Sequence, residues 1–113
     1  YIFKEQSKMG RLILAYKDHV SEIVDISDEE RNQFFADINK VAKAIHKIFS
    51  PSKVNYGMYG DTGCHLHMHL VPKYEGGDEW GSTFTMNPDK KYLNDNEYEE
   101  MAKILRRELK IQL

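Results

Sequence analysis

Three histidines fall on alternate positions of the segment HLHMHLVP, residues 65–72, with apolar residues between them. In a β-strand, side chains at i, i+2 and i+4 project from one face, roughly 6.5 to 7 Å apart. His65, His67 and His69 are therefore expected in a row, with Cys64, Leu66, Met68 and Leu70 pointing into a dry layer. Such a strand has one apolar face and one imidazole face, a reactive row on a rigid element.

Three uses of the row compete. A structural role is poorly served by residues that lack the β propensity of Val, Ile or Tyr. Zinc binding draws on imidazole, but a straight strand spreads the outer two rings by roughly 13 Å, too far for one ion. Covalent catalysis fits the spacing better. A neutral imidazole nitrogen attacks phosphorus through Nε2 once its Nδ1–H is held by an acceptor. The middle ring, His67, is the natural nucleophile, with one neighbour to orient it and the other to protonate the departing oxygen.

The chain has 113 residues, sixteen Lys and Arg against eighteen Asp and Glu, and a net charge of -2. One domain spanning 1–113 is expected. The charge gives no support to an extended nucleic-acid surface. A single cysteine excludes an intrachain disulfide, and no apolar run approaches a membrane span. A soluble, cytoplasmic protein without nucleic-acid or membrane partners is expected, and the start at Tyr1 in strand-like sequence suggests a missing N-terminal segment.

Along the chain, YIFKEQSKMGRLILAYKDH reads as two short strands around Met9-Gly10, with Leu12 to Ala15 the more buried part. Ser27 and Glu30 have capping-box spacing, and Phe34, Ile38, Val41, Ile45 and Ile48 line one helix face up to Ser50-Pro51. Strand, tight Gly-rich connection and strand follow over residues 53–74, then a possible short strand at STFTM. Asn94 and Glu97 cap a last helix lined by Tyr98, Met101, Leu105 and Leu109, expected on the same side of the sheet as the first. The class is α+β, an antiparallel sheet with two main helices.

Other features carry less. Gly57, Gly60 and Gly63 lack the Lys-Ser/Thr of a phosphate-binding P-loop and suit a tight hairpin. His46 sits on a solvated helix face, Cys64 reads as a small core residue, and Trp80 and Phe84 serve packing, a base or an interface.

HLHMHLV resembles the signature of the histidine triad (HIT) superfamily, His-φ-His-φ-His-φ-φ with φ apolar, at all seven positions. Upstream, GRLILAYKDHVSEIVDISDEE is similar to the family's strand, PKxH loop and helix start, and NYG to its NxG strand. The resemblance implies a HIT-like domain, a homodimer, and a nucleotide hydrolase or nucleotidyl transferase acting at the α-phosphorus of nucleoside phosphates, phosphoramidates or dinucleoside polyphosphates. Carried over by position, His67 would be nucleotidylated, His65 would steady it through its carbonyl, and His69 would contact the scissile oxygen. Asn55 and Thr62 would bind substrate, and the hydrolase branches imply no metal or other cofactor. Transfer with a sugar phosphate substrate, or nucleotide binding without turnover, are the alternatives. Many members have histidine after the early glycine where this chain has Arg11, a departure expected to touch the support of His65.

Overall fold

A computed structural model describes residues 1–88 and 90–112, without the side chains of residues 111 and 112. Three strands, β1 (Leu12–Ala15), β2 (Lys53–Gly57) and β3 (His67–Lys73), form an antiparallel sheet in the order β1-β3-β2. Helix α1 (Asp28–Phe49) separates β1 from β2, and helix α2 (Asp95–Gln112) closes the chain. This is the α+β arrangement expected.

The helix ends follow from their sequences. Ser27 accepts from the Glu30 amide while the Glu30 carboxylate accepts from the Ser27 amide, so two orphan donors of α1 are satisfied reciprocally. Ser50 takes a left-handed conformation (φ 48°) and ends the helix ahead of Pro51. Asn94 and Glu97 form the same reciprocal pair at the start of α2.

The core lies between the sheet and the helices. Leu12, Val54, Leu66, Met68 and Leu70 pack with Phe34, Ile38, Ala42 and Ile45 of α1, and Met101 and Leu105 of α2 join the same cluster. Both helices thus share one side of the sheet. Val41 and Ile48 are only partly buried at its margin. In β1 only Leu12 is buried; Ile13, Leu14 and Ala15 are intermediate on this edge strand, with Leu14 packed against the margin of the core.

Four expectations need correction. The N-terminal segment contributes no regular strand before β1, only isolated bridges from Ile2 to Leu12 and from Glu5 to Tyr92. Backbone bonds still tie it to the start of β1, from Phe3 N to Arg11 O and from Ile13 N to Tyr1 O. The buried Gln6 side chain braces the turn by donating to the carbonyls of Phe3 and Arg11 and accepting from the Gly10 amide. Gly10 (φ +91°) is needed there, since a Cβ would lie 2.8 Å from the Phe49 ring.

The β2–β3 connection is a loop over residues 58–66, not a tight hairpin. STFTM is irregular: its Thr85 amide bonds the Glu79 carboxylate, and the carbonyls of Thr85 and Met86 accept from Arg11, leaving no ladder. Cys64 is exposed, because β3 begins at His67 and the alternation does not reach back that far.

Candidate active site

The strand register decides which side chains share the imidazole face. His67 lies opposite Ala15, and His69 lies between Ile13 and Gly57. Their ring centroids are 5.1 Å apart. His65 precedes the strand, outside its regular ladder. Backbone bonds from Leu66 N to Val20 O and from Tyr16 N to Leu66 O hold this approach segment instead.

Each ring has a distinct main partner. His65 Nε2 donates to the Tyr16 carbonyl at 2.5 Å, and the His19 ring stands edge-on to it, centroids 5.6 Å apart. His67 Nδ1 donates to the His65 carbonyl at 2.7 Å. A carbonyl can only accept, so Nδ1 carries the hydrogen and Nε2 keeps its lone pair. Gly63 lies beside this ring, and a Cβ there would make ordinary van der Waals contact with His67 Cε1, 3.5 Å away.

His69 is almost fully enclosed, at 4% exposure. Phe3, Tyr59 and Phe84 surround it with centroids 5.7, 6.3 and 6.3 Å away. Arg11 Nη2 lies 3.2 Å from His69 Nδ1. Burial, then the Arg11 charge and His67, push the His69 imidazole down to about 4. A guanidinium has no acceptor, so Nδ1 accepts and the neutral ring carries its hydrogen on Nε2.

Arg11 therefore bonds His69, whereas its departure from the family pattern was expected to touch the support of His65. Its guanidinium is 3.8 Å from the Phe3 ring centre and 5.0 Å from that of Phe84, and it also donates to the Thr85 and Met86 carbonyls. No sequence pattern pointed to this; only the fold brings residues 3, 11 and 84–86 around His69.

Asn55 is half-buried on β2, opposite Val71 and two residues from Gly57, hence on the imidazole face. It lines a shallow cavity with Lys53, Lys73, Trp80 and Thr83. Lys73 is buried and donates to the carbonyls of Glu79 and Ser82, which ties the segment after β3 to the sheet. Thr62 is exposed in the 58–66 loop, one residue from Gly63. Trp80 is exposed, whereas Phe84 packs on the site. His46 is exposed on α1. Among the described residues, no group of three or more His, Cys, Asp or Glu is placed to hold a metal ion, and no helix is long and apolar enough to cross a membrane.

The protein hit of Bacillus subtilis is 29% identical over 89 residues, covering 74% of this chain and 61% of that protein. The asymmetrical bis(5'-nucleosyl)-tetraphosphatase of Schizosaccharomyces pombe is 29% identical over 69 residues, 57% of this chain and 38% of that enzyme. The AP-4-A phosphorylase of Mycobacterium tuberculosis is 32% identical over 75 residues, 61% of this chain and 38% of that protein. The chain thus spans less than two thirds of the length of each of these relatives.

Crystal structures of histidine triad proteins share the fold. That from Marinobacter aquaeolei gives a TM-score of 0.80 at 16% identity, covering 91% of this chain and 76% of that one. That from Sinorhizobium meliloti gives 0.78 at 20% identity, covering 87% and 73%. The family model described as the HIT domain matches residues 4–76, more than half of the chain. With the intact HLHMHLV segment on β3 and its approach, this chain belongs to the HIT family.

Proposed function

We propose that this protein is a nucleotide hydrolase or nucleotidyl transferase in which His67 attacks the α-phosphorus of a nucleoside phosphate derivative and carries the nucleotidyl group covalently. The observation that carries the reading is the 2.7 Å bond from His67 Nδ1 to the His65 carbonyl. It fixes the tautomer whose Nε2 lone pair is nucleophilic, without spending a proton acceptor elsewhere. Dinucleoside polyphosphates and nucleoside phosphoramidates are the substrate classes proposed.

Asn55 and Thr62 are proposed to hold the substrate phosphates beside the imidazoles, and His69 to meet the scissile oxygen. Support comes from the family membership and from relatives named as a tetraphosphatase and a phosphorylase. Those two names make water and phosphate the acceptors to compare. A homodimer in the cytoplasm belongs to the same proposal, and sedimentation of the purified chain tests the dimer.

The functional test is product analysis with purine and pyrimidine dinucleoside polyphosphates in ¹⁸O-water. Label in the nucleoside monophosphate marks attack at the α-phosphorus. Label only in the polyphosphate product would overturn the proposed site of cleavage.

A further inference from the structure

Arg11 stands where it decides what His69 can give to a leaving group. Its position is held from several directions: the Thr85 carbonyl at Nη1, the Met86 carbonyl at Nη2, and the Phe3 and Phe84 rings. The charged groups around the pair are Glu5 and Glu79, which favour the guanidinium charge, and Tyr59 and His67 also border it. Of the polar groups around His69, Arg11 alone is bonded to Nδ1 among the described residues.

We infer that Arg11 fixes His69 as a neutral Nε2–H donor and thereby makes this enzyme selective for nucleoside phosphoanhydrides over phosphoramidates and alkyl phosphodiesters. The inference rests on the nucleotidyl-transfer reading above and narrows its substrate class.

The chemistry follows from what each leaving group needs. His67 Nε2 forms a bond to the α-phosphorus as the bridging P–O bond breaks, and that electron pair leaves with the oxygen. A polyphosphate chain departs as a weakly basic anion, for which a hydrogen bond from His69 Nε2–H suffices while the proton stays on nitrogen. Water then attacks phosphorus, the P–N pair returns to His67, and the proton of the water passes to solvent.

An amine or alkoxide must instead be protonated as it departs. An imidazolium could supply that proton, but a fixed cation 3.2 Å from Nδ1 opposes the imidazolium. A neutral imidazole is far too weak an acid to replace it. Burial and charge act together here, and the depressed His69 titration agrees with the geometry. A proton for such substrates has to come from solvent.

The experiment compares diadenosine tetraphosphate with an adenosine 5'-N-alkylphosphoramidate and their guanosine counterparts, in wild type, Arg11→His and Arg11→Lys, alongside ¹⁵N NMR of the histidine rings. General acid catalysis contributes on the order of 10²–10⁴-fold, so wild type is expected to favour the anhydride by about 100-fold or more in kcat/KM. Phosphoramidate cleavage should rise by about tenfold per pH unit from pH 8.5 to 7, as expected for a solvent proton. Arg11→His, which lacks the permanent charge, should narrow the ratio by about tenfold or more, and Arg11→Lys should keep it.

The NMR spectrum of wild type should show His69 protonated on Nε2 only. Equal or preferred phosphoramidate cleavage by wild type, a His69 Nδ1–H, or an unchanged ratio in folded Arg11→His would each overturn the inference. If Arg11→His does not fold, the wild-type ratio and the NMR assignment still decide it. Absence of turnover with every nucleotide would overturn the nucleotidyl-transfer reading and the preference with it, while the tautomer result would separately judge the Arg11–His69 lock.

Discussion

The hydrogen on His67 Nδ1 is directed at the main-chain carbonyl of His65, 2.7 Å away, so the second imidazole is oriented by backbone and not by another side chain. The His65 ring acts one step further back, anchoring that carbonyl through its own bond to Tyr16 O. His65→Ala removes the anchor and keeps the carbonyl. Its kcat should fall by roughly tenfold, the scale of one lost neutral hydrogen bond of about 1.4 kcal/mol. A steady-state assay showing losses as large as those of His67→Ala would place the His65 ring in the chemistry itself.

His69 gives the fold a pH dependence of known sign. Its pKa falls from 6.5 in the unfolded chain to about 4 in the folded one. Between these values the unfolded chain binds a proton that the folded chain refuses, so stability declines as pH drops through this window and levels off below it. The full effect is roughly 3 kcal/mol. Glu5 adds to the loss at the acid end: burial alone would raise its carboxyl, but bonds from Ser7 and Lys91 with the Arg11 charge hold it below the usual range. Urea unfolding of wild type and His69→Gln at pH 7 and pH 5 should show a distinctly smaller decline in the variant. Parallel declines would mean that His69 titrates normally in the folded protein.

Gly57 lies opposite His69, and a Cβ there would sit 2.6 Å from both Phe84 Cζ and Tyr59 Cε2. These rings flank His69, so they have to shift if a methyl group is added. Gly57→Ala should cost about 1 to 3 kcal/mol in overpacking and lower turnover beyond what the stability loss explains. Thermal unfolding and kcat measured on the same preparation check both parts; a variant with native stability and rate would show that the rings yield freely.

Nucleophilic catalysis by imidazole needs no metal ligand. Prolonged treatment with a chelator should leave hydrolysis unchanged when the substrate is supplied free of magnesium. Activity lost with chelator and restored by zinc would assign the imidazoles to ligand chemistry.

The capping pairs, the apolar faces of both helices and the strand carrying His67 and His69 were legible because each rests on local spacing. Ser27 and Glu30, or Met68 and Leu70, report their environment within one turn or one strand repeat. Alternation misled at its N-terminal end, where Leu66 pairs with Val20 and Tyr16 outside the sheet, leaving Cys64 exposed and His65 ahead of the strand. STFTM has strand composition, yet its polar backbone is claimed by Arg11 and Glu79, which lie far away in sequence or bond through side chains. Arg11 was visible as a departure from the family pattern. Its attachment to His69, 58 residues away, depends on the β1–β3 register and could not be read from spacing.

The central claim is that His67 Nε2 becomes bonded to phosphorus. Mixing the protein with excess dinucleoside polyphosphate, quenching in alkali within milliseconds to seconds, and weighing the intact chain tests it directly. Alkali is used because a phosphorus–nitrogen bond to imidazole is lost in acid. Wild type is expected to gain the mass of one nucleoside monophosphate minus water, located by fragmentation on His67. Folded His67→Ala should gain none and should lose turnover by on the order of 10³-fold or more. Burst-free turnover with no adduct on any time scale, or an adduct that survives in His67→Ala, would contradict a covalent role for this histidine.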